Sequence, residues 1–150
     1  MIRLPEGVLR EILSHARMES PSEVCGWLAG RGGEVVRALP VPNAAEDPQT
    51  RFTMEPRAQM SAMRDIRESK LEITGTYHSH PRTAAVPSAR DRELAAYPDA
   101  AHLILSLATL EPEVRCYRIT AEGISPLELT VQQTPTGVDS QHPPPYCQAL

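Results

Sequence analysis

The stretch Tyr77-His78-Ser79-His80-Pro81-Arg82-Thr83-Ala84-Ala85-Val86-Pro87-Ser88-Ala89-Arg90-Asp91 decides how this chain is read. Its skeleton is His-x-His, seven residues, Ser, two residues, Asp. The apolar-rich run ahead of it, 71–77, contains Ile73, Thr74, Thr76 and Tyr77, residue types that favour a strand. Side chains two apart on a strand share a face, so His78 and His80 aim two imidazoles at one point where the strand runs out. Pro81 has no N–H to donate and ends the pairing. Two imidazoles and a carboxylate are a three-ligand set that suits zinc with a fourth position left for water, the pattern of a catalytic rather than a structural site.

The carboxylate needs an argument of its own. Asp91 is the nearest one downstream of the histidines, with Glu93 and Asp99 as weaker rivals. Neutral imidazoles leave the two charges of zinc unbalanced, so a carboxylate is expected among the ligands. However, Ser88 followed three residues later by an acid is also a capping box that opens a short helix. A carboxylate engaged by a metal is not expected to cap as well. A hydrolytic site further requires a group that takes a proton from water. Glu23 is the candidate, because it stands at the mouth of the apolar segment Val24-Cys25-Gly26-Trp27-Leu28-Ala29-Gly30, a central strand beside the histidines.

The whole chain sets bounds on these readings. Its 150 residues suit one domain with a real core, and 41% hydrophobic with 23% charged residues is ordinary for a globule. A net charge of −4 gives no reason to expect nucleic acid or an anionic membrane as partner. Three cysteines, Cys25, Cys116 and Cys147, show no paired spacing and argue against a disulfide scaffold or a cysteine-rich zinc module. The start Met1-Ile2-Arg3-Leu4-Pro5-Glu6 lacks the apolar core of a signal peptide, and no later run approaches a membrane span, so a cytoplasmic protein is expected.

Apolar spacing predicts a helix over 5–17, with Leu4, Val8 and Ile12 on its inner face and Pro5 in its first turn. Strands follow over 24–30 and 34–41, joined at Arg31-Gly32-Gly33, then a loop and a short strand over 50–54. A second helix runs from Pro56 to about 70 with Met60, Met63 and Ile66 on one face. The histidine strand, a short helix over 89–96 and strands over 102–108, 114–119 and 124–131 complete the domain. The order gives an α+β domain, an α/β sandwich of mixed sheet flanked by helices rather than a regular βαβ alternation. The domain occupies 1–131, and the Pro-rich stretch 132–150 is expected to be a flexible tail.

Glu23-Val24-Cys25-Gly26 together with His78-Ser79-His80-Pro81, Ser88 and Asp91 resembles the signature of the JAMM (MPN-plus) metalloproteases. The resemblance covers about residues 4–131. It implies a cytidine-deaminase-like fold and one zinc ion per chain, held by His78, His80 and Asp91 with a bound water. By the same resemblance Glu23 is the general base and then the acid that protonates the leaving amine, while Ser88 steadies the oxyanion, a role worth a few kcal/mol in comparable sites. The short intervals between motifs leave little room for a ubiquitin clamp and resemble the compact prokaryotic branch. That branch implies a ubiquitin-like sulfur-carrier protein, or its conjugate, as substrate, cut at its C-terminal Gly-Gly tail. Compact members are often dimers, so the resemblance also allows a homodimer. Two other readings stay open: an inactive MPN-type binding scaffold, and a zinc amidase acting on a small molecule.

Other residues read more plainly. Cys25, Trp27 and Tyr77 are expected in the core. His15 and His102 have no partner visible in the sequence, and Asn43 suits a turn better than a contact to substrate backbone. His142 and Cys147 in the tail carry no assigned role.

Overall fold

Strand order explains how a chain this short encloses a helix. The computed structural model describes residues 1–93, 97 and 99–133. Its elements are β1 (Ile2–Pro5), α1 (Glu6–Glu19), β2 (Cys25–Arg31), β3 (Glu34–Val41), α2 (Pro56–Glu68), β4 (Glu72–His80), α3 (Ala89–Glu93), β5 (Ala101–Ser106), β6 (Glu113–Thr120), β7 (Gly123–Leu127) and β8 (Leu129–Gln132). They form one mixed sheet in the order β7-β6-β5-β4-β2-β3-β1-β8. β7 and β8 lie at opposite ends of that order, yet only Glu128 separates them in the chain. The sheet therefore curls until its two ends come together, and α1 fills the hollow. Val8, Ile12 and Ala16 recur every four residues along α1 and pack on Leu28, Tyr77, Leu103 and Leu105 of the central strands.

The mixed α+β sheet matches the sequence reading, but its edges differ from it. Leu4 and Pro5 belong to β1 rather than to the first helix, and the backbone of Pro5 is extended at the helix cap (ψ 139°). β1 pairs in parallel with β8, across almost the full length of the chain, so nothing local announces it. The expected single strand 124–131 is two strands with different partners, β7 antiparallel to β6 and β8 parallel to β1. The expected strand 50–54 reduces to one bridge between Asn43 and Met54. α2 stops at Glu68 because Lys70 takes a left-handed φ of 62°, with Leu71 N–H bonded to the Ile66 carbonyl. Met60 is 60% exposed rather than on the packed face, since it lies roughly 120° around the helix from Ile66. Ala58, Ala62, Met63 and Ile66 make that face instead, against Cys25, Trp27 and Ala29. The tail expected over 132–150 lies, from residue 134 on, outside the described residues. Among the described residues no helix is long and apolar enough to cross a membrane.

The centre of the sheet is what positions the site. β4 is antiparallel to β2 and parallel to β5, with His78 facing Cys25 on one side and Ile104 on the other. A strand between two neighbours cannot slip by one residue without turning its buried face outward, so the histidines are fixed in direction. Close approach at Gly26 tightens this junction: a Cβ there would meet the Tyr77 ring and the Leu39 carbonyl. Gly26→Ala is expected to destabilise by about 1–3 kcal/mol, lowering the melting temperature by roughly 3–10 °C. A thermal melt of the variant checks this, and an unchanged midpoint would show that the junction has slack.

Candidate metal centre

The site begins at the last residues of β4. His78 and His80 point to one face, and His80 Nδ1 lies 2.8 Å from the Ala84 carbonyl oxygen. A carbonyl only accepts, so Nδ1 carries the proton and the Nε2 lone pair faces the other way. Four residues after Ala84 the chain opens α3. Ser88 Oγ accepts from the Asp91 N–H at 3.0 Å, and Asp91 Oδ2 accepts from the Ser88 N–H at 2.9 Å, a complete capping box. The same Oδ2 lies 3.1 Å from His78 Nε2 and 3.2 Å from His80 Nε2. Capping and convergence on the histidines thus coexist, against the sequence expectation, because a carboxylate oxygen offers two lone pairs.

The three atoms make a nearly equilateral triangle, the two Nε2 atoms being 3.1 Å apart. Ligands held at 2.0–2.1 Å around a tetrahedral ion sit about 3.3–3.4 Å from one another, so the triangle is close to one face of a zinc tetrahedron. All three residues are buried. Burial holds His78 below the ordinary imidazole value. Burial also opposes charge on His80 and on Asp91. Hydrogen bonds to Asp91 and to Ala84 outweigh it and raise His80, and the two histidines hold the Asp91 carboxyl well below the usual range. Electron-rich donors packed at contact distance, with one imidazole locked to present its lone pair, form a donor set that fits one zinc ion.

Glu23 completes the cluster from the neighbouring strand. Its carboxylate comes within 4.8 Å of the histidine nitrogens. The residue precedes β2 and is held by backbone: Glu23 N–H donates to the Pro48 carbonyl at 2.7 Å, and Val24 N–H donates to Ser79 Oγ at 2.9 Å. Ser79 N–H in turn donates to the Val24 carbonyl at 3.1 Å. Glu23 Oε1 is buried with no hydrogen-bond partner among the described residues, and burial pushes the carboxyl up to about 7. Glu93, the sequence rival to Asp91, is exposed on α3, and Asp99 is exposed beyond it.

Sequence reasoning missed several residues around this centre. Ser79, hidden between the histidines, ties the Glu23 segment to β4. Phe52 stacks on the His78 ring at 4.5 Å between centroids and 26° between planes. It belongs to a loop whose sequence gives no period to read. Asn43 is the turn residue expected, and more: Nδ2 donates to the Glu23 and Arg51 carbonyls at 3.0 Å each, while Oδ1 accepts from the Ala45 and Thr53 N–H groups. His15 has a partner after all, its Nδ1 lying 3.0 Å from the Tyr77 hydroxyl, and His102 Nδ1 lies 3.4 Å from Thr76 Oγ1. Cys25 is a buried apolar residue in effect, its thiol directed at the Val41 carbonyl and pushed up to about 12 by burial. Two hollows flank the centre. One, of about 280 Å³, is lined by Trp27, Phe52, His78, Asp91 and Tyr97. The other, of about 470 Å³, is lined by His15, Glu19, Glu23 and Asn43.

Residues 5–120 match the family of prokaryotic homologues of the JAB domain. The chain belongs to this family. It is similar to a desampylase of Haloferax volcanii, 42% identical over 101 residues that span 63% of this chain and 73% of the relative. It is also similar to the CysO-cysteine peptidase of Mycobacterium tuberculosis, 35% identical over 123 residues, 79% of this chain and 82% of the relative. A solution structure from Desulfitobacterium hafniense superposes with a TM-score of 0.82 at 37% identity, covering 89% of this chain and 94% of that one. The JAMM resemblance carried by the motif is thus confirmed over residues 5–120.

Asn43→Ala removes the clamp behind Glu23 and is expected to cost about 2 kcal/mol. Hydrogen exchange should speed up at Ala45 and Thr53 and leave β5 unchanged; uniform protection across all three would show that the loop holds itself.

Proposed function

We propose that this chain is a zinc-dependent peptidase or isopeptidase that hydrolyses the bond following the C-terminal Gly-Gly tail of a ubiquitin-like sulfur-carrier protein. The observation that carries the chemistry is the convergence of His78 Nε2, His80 Nε2 and Asp91 Oδ2 at 3.1–3.2 Å with the Glu23 carboxylate alongside. The substrate class is supported by the names of the relatives, a desampylase and a CysO-cysteine peptidase, and by the JAMM resemblance. The absence of a paired cysteine pattern supports a cytoplasmic setting.

In this reading His78, His80 and Asp91 hold the ion. Zinc bound there supplies Lewis acidity, polarising the scissile carbonyl and lowering the pKa of water. Glu23 takes a proton from the attacking water at its unpartnered Oε1. Its burial makes it a stronger base than an exposed glutamate, matched to operation near neutral pH. The protonated carboxyl then returns that proton to the departing amine. Ser88 Oγ spends a lone pair on the Asp91 N–H, which leaves its O–H free to donate to the oxygen where negative charge develops. The capping bond fixes the hydroxyl in place. His80 stays oriented through the Ala84 carbonyl.

Glu23→Gln is expected to keep one zinc per chain while lowering kcat by about 10²–10⁴-fold. Metal analysis and turnover of a carrier extended beyond Gly-Gly check it, and retained turnover removes Glu23 from the role of base. Asp91→Ala is expected to lose most of the zinc. Full occupancy with only a lower melting temperature would assign Asp91 to capping alone. Chelation of the wild-type protein should abolish cleavage and re-addition of zinc restore it; a scaffold would show neither.

A further inference from the structure

We propose that the substrate protein docks through an acidic surface onto an arginine-rich face surrounding the metal centre. This deepens the reading above and rests on it for the substrate's tail, while its own evidence is charge. Residues 51–92 supply the loop before α2, α2, β4, the loop after His80 and most of α3. They carry eight cationic side chains against five carboxylates, a net +3, in a chain whose formal net charge is −4, so the remaining residues sum to −7.

Three of the five carboxylates of this segment are occupied, while Glu68 and Glu72 are exposed with no ion pair among the described residues. Asp91 lies in the metal centre, Glu55 caps α2 by accepting from the Arg57 and Ala58 N–H groups, and Asp65 pairs with Arg37 from β3 at 3.3 Å. The arginines of the segment are not. Outside it Arg3, Arg10, Arg37 and Arg115 each have a carboxylate partner, whereas Arg17, Arg31 and Arg118 have no ion pair among the described residues. Arg51, Arg57, Arg64, Arg82, Arg90 and Arg92 have no ion pair among the described residues. All but the half-buried Arg51 are exposed.

Arg90, Arg51 and Arg82 border the site, and Arg57 and Arg64 lie beyond it on α2. Arg90 lines the 280 Å³ hollow with His78 and Asp91. Arg51 precedes the Phe52 that stacks on His78, and Arg82 comes two residues after His80. Arg57 and Arg64 flank the exposed Met60 in an open depression on α2.

The opposite flank has the other sign: Glu19 and Glu23 line the 470 Å³ hollow, and Glu46 and Asp47 run into Pro48 on its wall. Like charges left unpaired on one face repel and add nothing to folding. Facing a partner, they steer encounter and fix its orientation, and guanidinium groups match carboxylates with two parallel hydrogen bonds. A nucleic acid is the other polyanion, but the chain as a whole is acidic, and Tyr97 is the one described aromatic ring that is more than about a third exposed. A protein surface rich in Asp and Glu fits best.

The test uses short peptides ending in Gly-Gly and identical except for a run of Glu, Gln or Arg upstream, with binding to the zinc-loaded protein read by fluorescence anisotropy. The Glu peptide should bind about tenfold more tightly than the Gln peptide at about 0.05 M salt, and the advantage should vanish near 0.5 M. The double variant Arg57→Glu/Arg64→Glu should lose the preference with zinc content and melting temperature unchanged. Equal binding of the Glu and Gln peptides, tighter binding of the Arg peptide, or binding of a single-stranded RNA in place of the Glu peptide overturns the proposal. The same peptides extended past Gly-Gly separate the two readings. Cleavage of all three at equal rates sinks the docking surface alone, and binding preference without any zinc-dependent cleavage sinks the peptidase reading alone.

Discussion

The antiparallel pairing of β2 with β4 is the constraint on which everything near the site depends. It sets Cys25 opposite His78 and, one step further, closes Val24 and Ser79 into a pair of reciprocal bonds. Residues 23 and 78, more than fifty positions apart in the chain, are thereby fixed side by side by backbone rather than by their own flexible side chains. A base carried on a loop would wander over distances that cost orders of magnitude in rate. Glu23, in the role proposed for it and two residues ahead of the buried β2, does not. The Asn43 clamp serves the same end from the other side, since two of its bonds close on the Glu23 and Arg51 carbonyls.

Local rules and global purpose diverge at this junction. Elsewhere the interior follows ordinary pattern, with apolar side chains on both faces of the central strands. Within a few ångströms of His78, however, the fold buries two carboxylates and two imidazoles together, leaving one carboxylate oxygen without a hydrogen bond. Buried polar groups are costly unless something answers them, and a concentration of them at one strand end is where function overrides stability. The two carboxylates also diverge in character. Two imidazoles hold Asp91 ionised, while Glu23, with less to hold it, is lifted towards neutrality by burial. Environment alone gives two like residues opposite proton affinities.

The convergence of the proposed site residues was legible because their pattern is local where it is most specific. His78, His80, Ser88 and Asp91 fall within one short stretch, and alternation on a strand plus a capping box places them without knowledge of the fold. Glu23 was legible only through the apolar strand it introduces. Ser79 and Phe52 were not, since one works through a hydroxyl in the sheet interior and the other from an aperiodic loop. The two-strand split of 124–131 was invisible for a different reason: Ile124, Leu127, Leu129 and Val131 follow one another with a single residue, Glu128, between the strands, and only their partners at opposite ends of the sheet tell β7 and β8 apart. Met60 was misplaced by reading three apolar residues as one face when the helical angle spreads them. Asp91 requires no choice between capping and meeting the histidines, because one carboxylate oxygen does both.

The pairing of β1 with β8 has a consequence for how the chain comes to be folded. Ile2 to Pro5 precede Leu129 to Gln132 by almost the whole length of the described chain, yet the two segments pair residue for residue. Until they pair α1 has no complete hollow to occupy, and its apolar face lies open beside a half-built sheet. Contacts so distant in sequence slow folding, because loop closure must precede any gain from them. β1 is thus locked only once β8 is present, and until that pairing closes the protein is most exposed to misassociation.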